Sequence, residues 1–352
     1  MKKELNKQNY CIDFYRFVFS LIIVFYHSWM FTGKFGEGVF NFGFLAVDFY
    51  FIVSGYLMMN SMEKQGKLKK NENVYMGSFN FVFNKIKKIF PALLLTFIIG
   101  LGFVYGKGLI NIKDVLLSDA IPELLQLGVF GYSMPINLSW WYLSVMYFVF
   151  LILYPIIGLH KDKYIYYIAP LILGLTMALV LSIPIGIHDA LGKNFVFING
   201  FYNGIIFIIL GNISYEISKK FREKSKKTDK KQKILLTLFE QTIYIILILT
   251  FNYNFLNTTI IAFMLLIAIS LTFSNITYSP KIFASTIWKK LGNYGFYVYL
   301  CHISIRTFFM RHNNYIYSDM LSKYLLVSFV TGLVIYIMID VVYKRIKERK
   351  KA

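Results

Sequence analysis

DFYRFVFSLIIVFYHSWMF, residues 13–31, decides the fold. An apolar run of this length suits an α-helix crossing the hydrocarbon core, which needs ~20 residues. It carries three ionisable groups, Asp13, Arg16 and His27. A charge at the centre of such a helix costs about 2.5–3.5 kcal/mol on insertion scales, so each calls for a local reason. Arg16 and His27 are eleven residues apart; at 100° per residue they share nearly one face, roughly 16 Å apart along the axis. Asp13, three residues before Arg16, is within pairing reach and would orient the guanidinium. One stripe therefore carries a cation near one end and an imidazole near the other. The plainer alternative makes both residues interfacial anchors that snorkel.

Outward from this stretch the same length of apolar sequence recurs. About ten spans are expected, at 13–31, 43–60, 83–106, 137–159, 164–184, 195–214, 234–252, 256–274, 291–311 and 324–343. Composition agrees: 57% of the 352 residues are hydrophobic and 19% aromatic, with a mean hydropathy of +0.55, beyond what a soluble domain hides. The fold expected is an all-α, polytopic transmembrane bundle forming one integral membrane domain over 1–352. The basic segment 1–9 precedes an apolar run, as in a signal peptide. Asp13 and Arg16 break that run and no small-x-small site follows, so a retained first helix is expected. Cys11 and Cys301, the only cysteines, read as buried small hydrophobes rather than a disulfide or thiolate site.

Thirty-eight Lys and Arg against eighteen Asp and Glu give a net charge of +20. In a soluble chain this would point to nucleic acid. Here the cations fall in alternate connections, as the positive-inside rule and an anionic leaflet demand, so the partner expected is the bilayer and not nucleic acid. With the N-terminus inside, the cytoplasmic segments hold Lys64, Lys67, Lys69 and Lys70, then Lys161 and Lys163, the loop 219–233, Lys281, Lys289 and Lys290, and the tail 344–352. The opposite connections are poor in cations, so both termini are expected on the cytoplasmic side. The broken segment 111–130 reads as a surface or re-entrant element, and 219–233 as a solvated connector.

Several ordered motifs carry a resemblance. Asp13-Phe14-Tyr15-Arg16 through Tyr26-His27-Ser28 resembles the Arg-x10-His signature of the acyltransferase-3 family, membrane O-acyltransferases that decorate bacterial surface polysaccharides, peptidoglycan and some natural products. Val47-Asp48-Phe49-Tyr50-Phe51-Ile52-Val53-Ser54-Gly55-Tyr56-Leu57 is similar to its second-helix motif. Lys85-Ile86-Lys87-Lys88-Ile89-Phe90-Pro91 resembles its basic stretch. Trp141-Tyr142-Leu143-Ser144-Val145 with Tyr154-Pro155, and Leu291-Gly292-Asn293-Tyr294-Gly295 through Tyr299-Leu300-Cys301-His302, resemble two later motifs. Three departures from the pattern stand out. Met146 stands where Glu is frequent, Lys85 and Lys88 where Arg is usual, and Ser304 follows His302 where Pro is common.

The resemblance implies transfer of an acyl group, usually acetyl, from cytoplasmic acetyl-CoA or another acyl-CoA to a hydroxyl of a cell-surface or lipid-linked glycan. It also implies a bacterial cytoplasmic membrane. Attack of an alcohol on a thioester needs a base, and histidine's ordinary pKa suits it, which makes His27 the candidate. Asp48, level with it on the second helix, is expected to orient the imidazole, a structural hydrogen bond being the rival reading. Arg16 is expected to hold phosphate or polarise the donor. Lys85 and Lys88, at the start of the third helix, would add a phosphate cluster, or serve only as anchors. Asp13, Trp141, Tyr142, Ser144, His302 and Arg306 are expected to line the substrate site; His302 and Arg306, four apart, share a face and otherwise serve as helix–helix glue. His160, His188 and His312 read as loop residues, and no metal-ligand spacing is present. The rival functions are a secondary transporter or a flippase for a glycan-related substrate, since intramembrane charges also mark transport pathways.

Overall fold

Asn9 starts the first helix: its side-chain oxygen accepts from the Cys11 and Ile12 amides at 3.1 and 3.3 Å, satisfying donors the helix leaves open. The same device starts a later helix, where Asn257 accepts from Thr259 and Ile260 at 2.7 and 3.2 Å. The computed structural model describes residues 9–32, 38–64, 73–105, 120–182, 190–194, 196–253, 255–310, 317–343 and 345–346. Its long helices are α1 Tyr10–Tyr26, α2 Ala46–Lys64, α3 Val74–Tyr105, α4 Trp141–Lys163, α5 Ala169–Ser182, α6 Asn199–Ser225, α7 Lys230–Tyr253, α8 Thr258–Ser274, α9 Ile287–Met310 and α10 Tyr317–Tyr336. Apart from a pairing of two-residue strands, Lys193–Asn194 with Phe197–Ile198, the described regular structure is helical.

Five stretches are long and apolar enough to cross a membrane: Gly43–Lys64, Val74–Tyr105, Leu138–Val180, Lys230–Tyr253 and Asp319–Tyr343. Large apolar side chains line their outer faces, with Phe79, Phe83, Phe90, Leu94 and Ile98 exposed along α3 and Leu326, Val330, Leu333 and Val334 along α10. The spacing of three to four residues paints one stripe on each helix. Water does not tolerate such stripes over many turns, whereas lipid does; they mark a multi-pass membrane protein.

Several boundaries differ from those expected. α1 ends at Tyr26, leaving His27 as its C-cap. α3 starts at Val74, so Lys85 and Lys88 lie well inside the helix instead of opening it. Most of 219–233 is helical, because α6 continues to Ser225 and α7 begins at Lys230. Lysine is a good helix former, and Lys219 there pairs with Glu63 at 2.9 Å. His160 lies within the α4 stretch, at a kink with φ −143° and ψ 53°, not in a loop. Of 111–130, the described part holds a short helix, Ala120–Leu124, and a tight turn, Leu127–Phe130. His188, His312, Lys67, Lys69, Lys70 and most of the tail 344–352 lie outside the described residues. Cys11 and Cys301 are both free and buried.

The core is organised around α6 and α9. The closest packing joins α2 to α6 and α1 to α9. Glycine makes both approaches possible. A Cβ on Gly55 would strike the Ile208 carbonyl, and one on Gly211 the Ile52 carbonyl. Likewise a Cβ on Gly292 would crowd the Asp13 carbonyl, and one on Gly295 the Ser20 hydroxyl. These contacts also set direction. Gly292 lies against Asp13 while Arg306 reaches His27, so α1 and α9 run parallel. Asp48 meets Asn203 while Tyr56 meets Ser218, so α2 and α6 do too. Each of these two pairs stands an even number of helices apart in the chain.

Candidate active site

On α1, Arg16, Ser20, Ile23 and His27 follow one another by four, three and four residues, the spacing of a single helix face. That face meets α9, α2 and α4. At its first end Asp13 holds Arg16, Oδ1 to Nη1 3.2 Å. The Arg16 side chain stays 29% exposed while Asp13 is buried, so the guanidinium is fixed on one side and open on another. The Tyr50 hydroxyl donates to the Arg16 carbonyl.

Beyond Arg16 on this face lies a narrow pocket lined by Ile23, Val47, Tyr50, Tyr142, Phe296 and Tyr299, with a free volume of about 10 Å³, room for about one water. Three tyrosines ring it, with centroid separations of 6.1, 6.4 and 6.5 Å between Tyr50, Tyr142 and Tyr299. Their rings give apolar walls while their hydroxyls are tied down. Tyr142 bonds the Ser54 hydroxyl at 2.8 Å and the Tyr50 carbonyl at 3.2 Å. Tyr299 donates to the Ser139 carbonyl at 2.5 Å.

At the far end of the face, four residues past Ile23, half-buried His27 meets α9. The Arg306 guanidinium lies 3.1 Å from His27 Nδ1, and the His302 ring centroid is 5.1 Å from that of His27. His302 is fully buried and Arg306 nearly so. His302 Nδ1 sits 2.6 Å from the Tyr299 carbonyl one turn earlier. Among the described residues no carboxylate pairs with Arg306. An imidazole pair and a guanidinium with no acidic partner therefore share one desolvated volume.

A second set of contacts fixes this end of α9. Glu123 accepts the Ile136 and Asn137 amides at 3.2 and 2.7 Å, bracing the turn Leu138–Trp140. From that turn the Trp140 indole donates to the Leu300 carbonyl at 3.1 Å, and Ser139 to the Tyr299 carbonyl at 3.4 Å. These carbonyls belong to the helical turn that carries His302. Each bond is buried, where an unmade partner would cost about 1–3 kcal/mol.

The sequence-predicted residues divide into groups. Arg16 and Asp13 are paired; His27, His302 and Arg306 are brought together; Tyr142 lines the pocket between. Asp48 is buried at the start of α2, where Asn203 Nδ2 donates to its Oδ1 at 2.7 Å; among the described residues no contact joins it to His27. Ser144 is buried, donating to the Gln126 carbonyl and accepting from the Val129 amide at 2.7 Å, which clamps the 120–130 segment to α4. Trp141 packs its ring 6.0 Å from Phe51 and fills the space that a side chain on Gly200 would need. Lys85 Nζ lies over the Phe81 and Phe150 rings, 4.9 and 5.6 Å from their centroids, a cation–π seat, while Lys88 is exposed. Met146 is buried, its sulfur 3.6 Å from the Tyr142 hydroxyl.

Glu123, Ser139, Trp140 and Asn203 were not singled out from sequence. Asn203 leaves a trace there, since an amide in an apolar span needs a buried partner. Glu123 leaves none, because its role depends on a turn formed thirteen residues later.

A family model described as an acyltransferase domain, of the acyltransferase-3 type, matches residues 9–340. No curated protein and no solved structure matches the chain significantly.

Proposed function

The chain belongs to the acyltransferase-3 family of membrane acyltransferases, and from that premise we propose that it moves an acyl group between the two ends of one α1 face. The donor is a coenzyme A thioester, acetyl-CoA by family expectation, bound at the Arg16 end. The acceptor is a hydroxyl of a cell-surface or lipid-linked glycan, arriving at the His27 end.

The observation that carries this reading is the tyrosine-ringed pocket midway along a face with a tethered guanidinium at one end and an imidazole pair at the other. A donor needs a phosphate-seeking cation and a thin apolar passage for its arm. An acceptor needs a base and a positive group beside the carbonyl carbon. Roughly 16 Å separates the ends, from eleven residues of helix rise. Cations also concentrate at the Arg16 end, where Lys161, Lys163, Lys219, Lys289 and Lys290 lie near helix ends. By the positive-inside rule that end faces the cytoplasm, which supports a cytosolic donor and both termini inside. On this reading Lys88 is free to add charge for phosphate, while Lys85 serves mainly as an anchor on its aromatic seat. Asp48 stiffens the α2–α6 pair beside the pocket, and His27, His302 and Arg306 contact the reacting groups.

The test uses purified protein in lipid nanodiscs, labelled acetyl-CoA and isolated cell-surface glycan. Label should pass to the glycan as a base-labile ester, and His27→Ala should cut transfer on the order of 10²-fold or more while still binding acetyl-CoA. Glycan movement across proteoliposomes without any acyl-CoA requirement would replace this reading with transport.

A further inference from the structure

A neutral imidazole has one N–H and one lone pair, and the partner of each nitrogen shows which is which. The Arg306 guanidinium has donors only, so His27 Nδ1, 3.1 Å away, accepts. His27 therefore carries its proton on Nε2. The Tyr299 carbonyl has lone pairs only, so His302 Nδ1, 2.6 Å away, donates. His302 therefore keeps its lone pair on Nε2. That nitrogen is buried and has no hydrogen-bond partner among the described residues. The two rings, 5.1 Å apart, thus hold opposite tautomers: one presents an N–H, the other an unused lone pair.

We propose that His302 Nε2, rather than His27, takes the proton of the attacking hydroxyl, and that Arg306 and the His27 N–H stabilise the oxyanion. The proposal rests on the acyl-transfer reading above. As the acceptor oxygen bonds to the thioester carbon, the carbonyl π pair moves onto its oxygen and the hydroxyl proton passes to His302 Nε2. When the carbonyl re-forms, the C–S bond breaks and the sulfur takes that proton, restoring neutral His302. Atoms and charge balance with acyl-CoA and the alcohol alone.

Two features favour this division. To act as the base, His27 would have to take a proton at Nδ1, the atom to which a permanently charged guanidinium already donates. His302 is charged without breaking a contact, since its Nδ1–H stays on the Tyr299 carbonyl and only the idle nitrogen changes. The titratable and charged groups facing the pair are Tyr26 on α1 and Arg306 with Tyr299 on α9, with Tyr324 on α10 facing Arg306. Among the described residues these include no carboxylate, so the titrating groups in the site are the two imidazoles.

Isosteric variants separate the roles. His302→Asn keeps a side-chain N–H for the Tyr299 carbonyl but lacks the outer lone pair; His27→Gln keeps an N–H near the Nε2 position. With acetyl-CoA and glycan, His302→Asn should lower kcat on the order of 10²- to 10⁴-fold and leave KM for acetyl-CoA nearly unchanged. His27→Gln should lose only roughly tenfold, the loss of one imperfectly replaced oxyanion donor. A fully active His302→Asn, or a His27→Gln that loses more than His302→Asn, overturns the assignment. Nitrogen-15 NMR of histidine-labelled wild type reads the tautomers directly, needs no variant to fold, and should give His27 as Nε2–H and His302 as Nδ1–H. The reverse pattern overturns the proposal. If NMR gives these tautomers but the wild type uses no acyl-CoA, the acyl-transfer reading has failed and the base assignment falls with it, a result distinct from failure of the tautomers.

Discussion

Arg306 Nη1 donates to His27 Nδ1 across 3.1 Å, joining α9 to the C-cap of α1 over 279 residues of sequence. Burying a guanidinium beside an imidazole and away from any described carboxylate is unfavourable in the resting protein. On the proposed acyl-transfer reading it becomes favourable when negative charge develops nearby, and the contact then serves as a preorganised electrostatic element.

Arg306→Ala is therefore expected to cut kcat on the order of 10²- to 10³-fold, the usual loss for one oxyanion-stabilising donor, with acetyl-CoA affinity little changed. Arg306→Lys should recover part of it, because charge is kept but the planar fork is lost. Steady-state kinetics with titration calorimetry separate the two effects. A large rise in Kd with intact kcat would place Arg306 in donor binding instead.

Arg16 should behave in the opposite way. Arg16→Gln removes a half-open guanidinium held by Asp13, and a charged hydrogen bond is worth about 1.5–3 kcal/mol. Coenzyme A binding should weaken roughly 10- to 100-fold on that basis, more than kcat falls. Calorimetry with coenzyme A alone measures this without turnover, and unchanged affinity would remove Arg16 from the donor site.

Glycines distinguish packed from open helix faces. Gly211→Leu forces a side chain into the Ile52 carbonyl and should cost at least about 1–3 kcal/mol by overpacking. Gly174 on α5 has open space where its Cβ would be, so Gly174→Ala should be neutral or stabilising by about 0.5–1 kcal/mol. Thermal unfolding in one detergent compares the pair; equal effects would contradict the α2–α6 interface.

The Asp48–Asn203 contact is testable as a coupled pair. Asn203→Leu strands a buried carboxyl and should cost about 1–3 kcal/mol. Asp48→Leu with Asn203→Leu should cost less than the two single changes summed, because both polar groups then leave together. Unfolding of the four proteins of the cycle gives the coupling, and strict additivity would mean the contact contributes nothing.

Two helices that build the candidate site are too polar to read as membrane-spanning. α6 and α9 are not among the five stretches that qualify by length and composition, whereas α1, of 17 residues, falls short in length. α6 and α9 carry Asn203, His302 and Arg306. Their polar residues dilute the apolar signal because they face other helices instead of lipid. Met146 illustrates the limit of motif comparison: the frequent carboxylate is missing there, while the buried carboxylate of Glu123 works on backbone amides from a segment no motif covers.

Local periodicity and hydropathy settled the helical class, the places of the helices, and the shared face of Arg16 and His27, because each depends only on residues a few turns apart. They also made Asp13 the partner of Arg16, a contact within one helix. Tertiary structure alone decided that His27 meets His302 and Arg306, that Asp48 meets Asn203, and that three tyrosines from separate helices surround one pocket. Those contacts arise where glycine lets distant helices touch, and a one-dimensional pattern carries no record of which helix lies beside which.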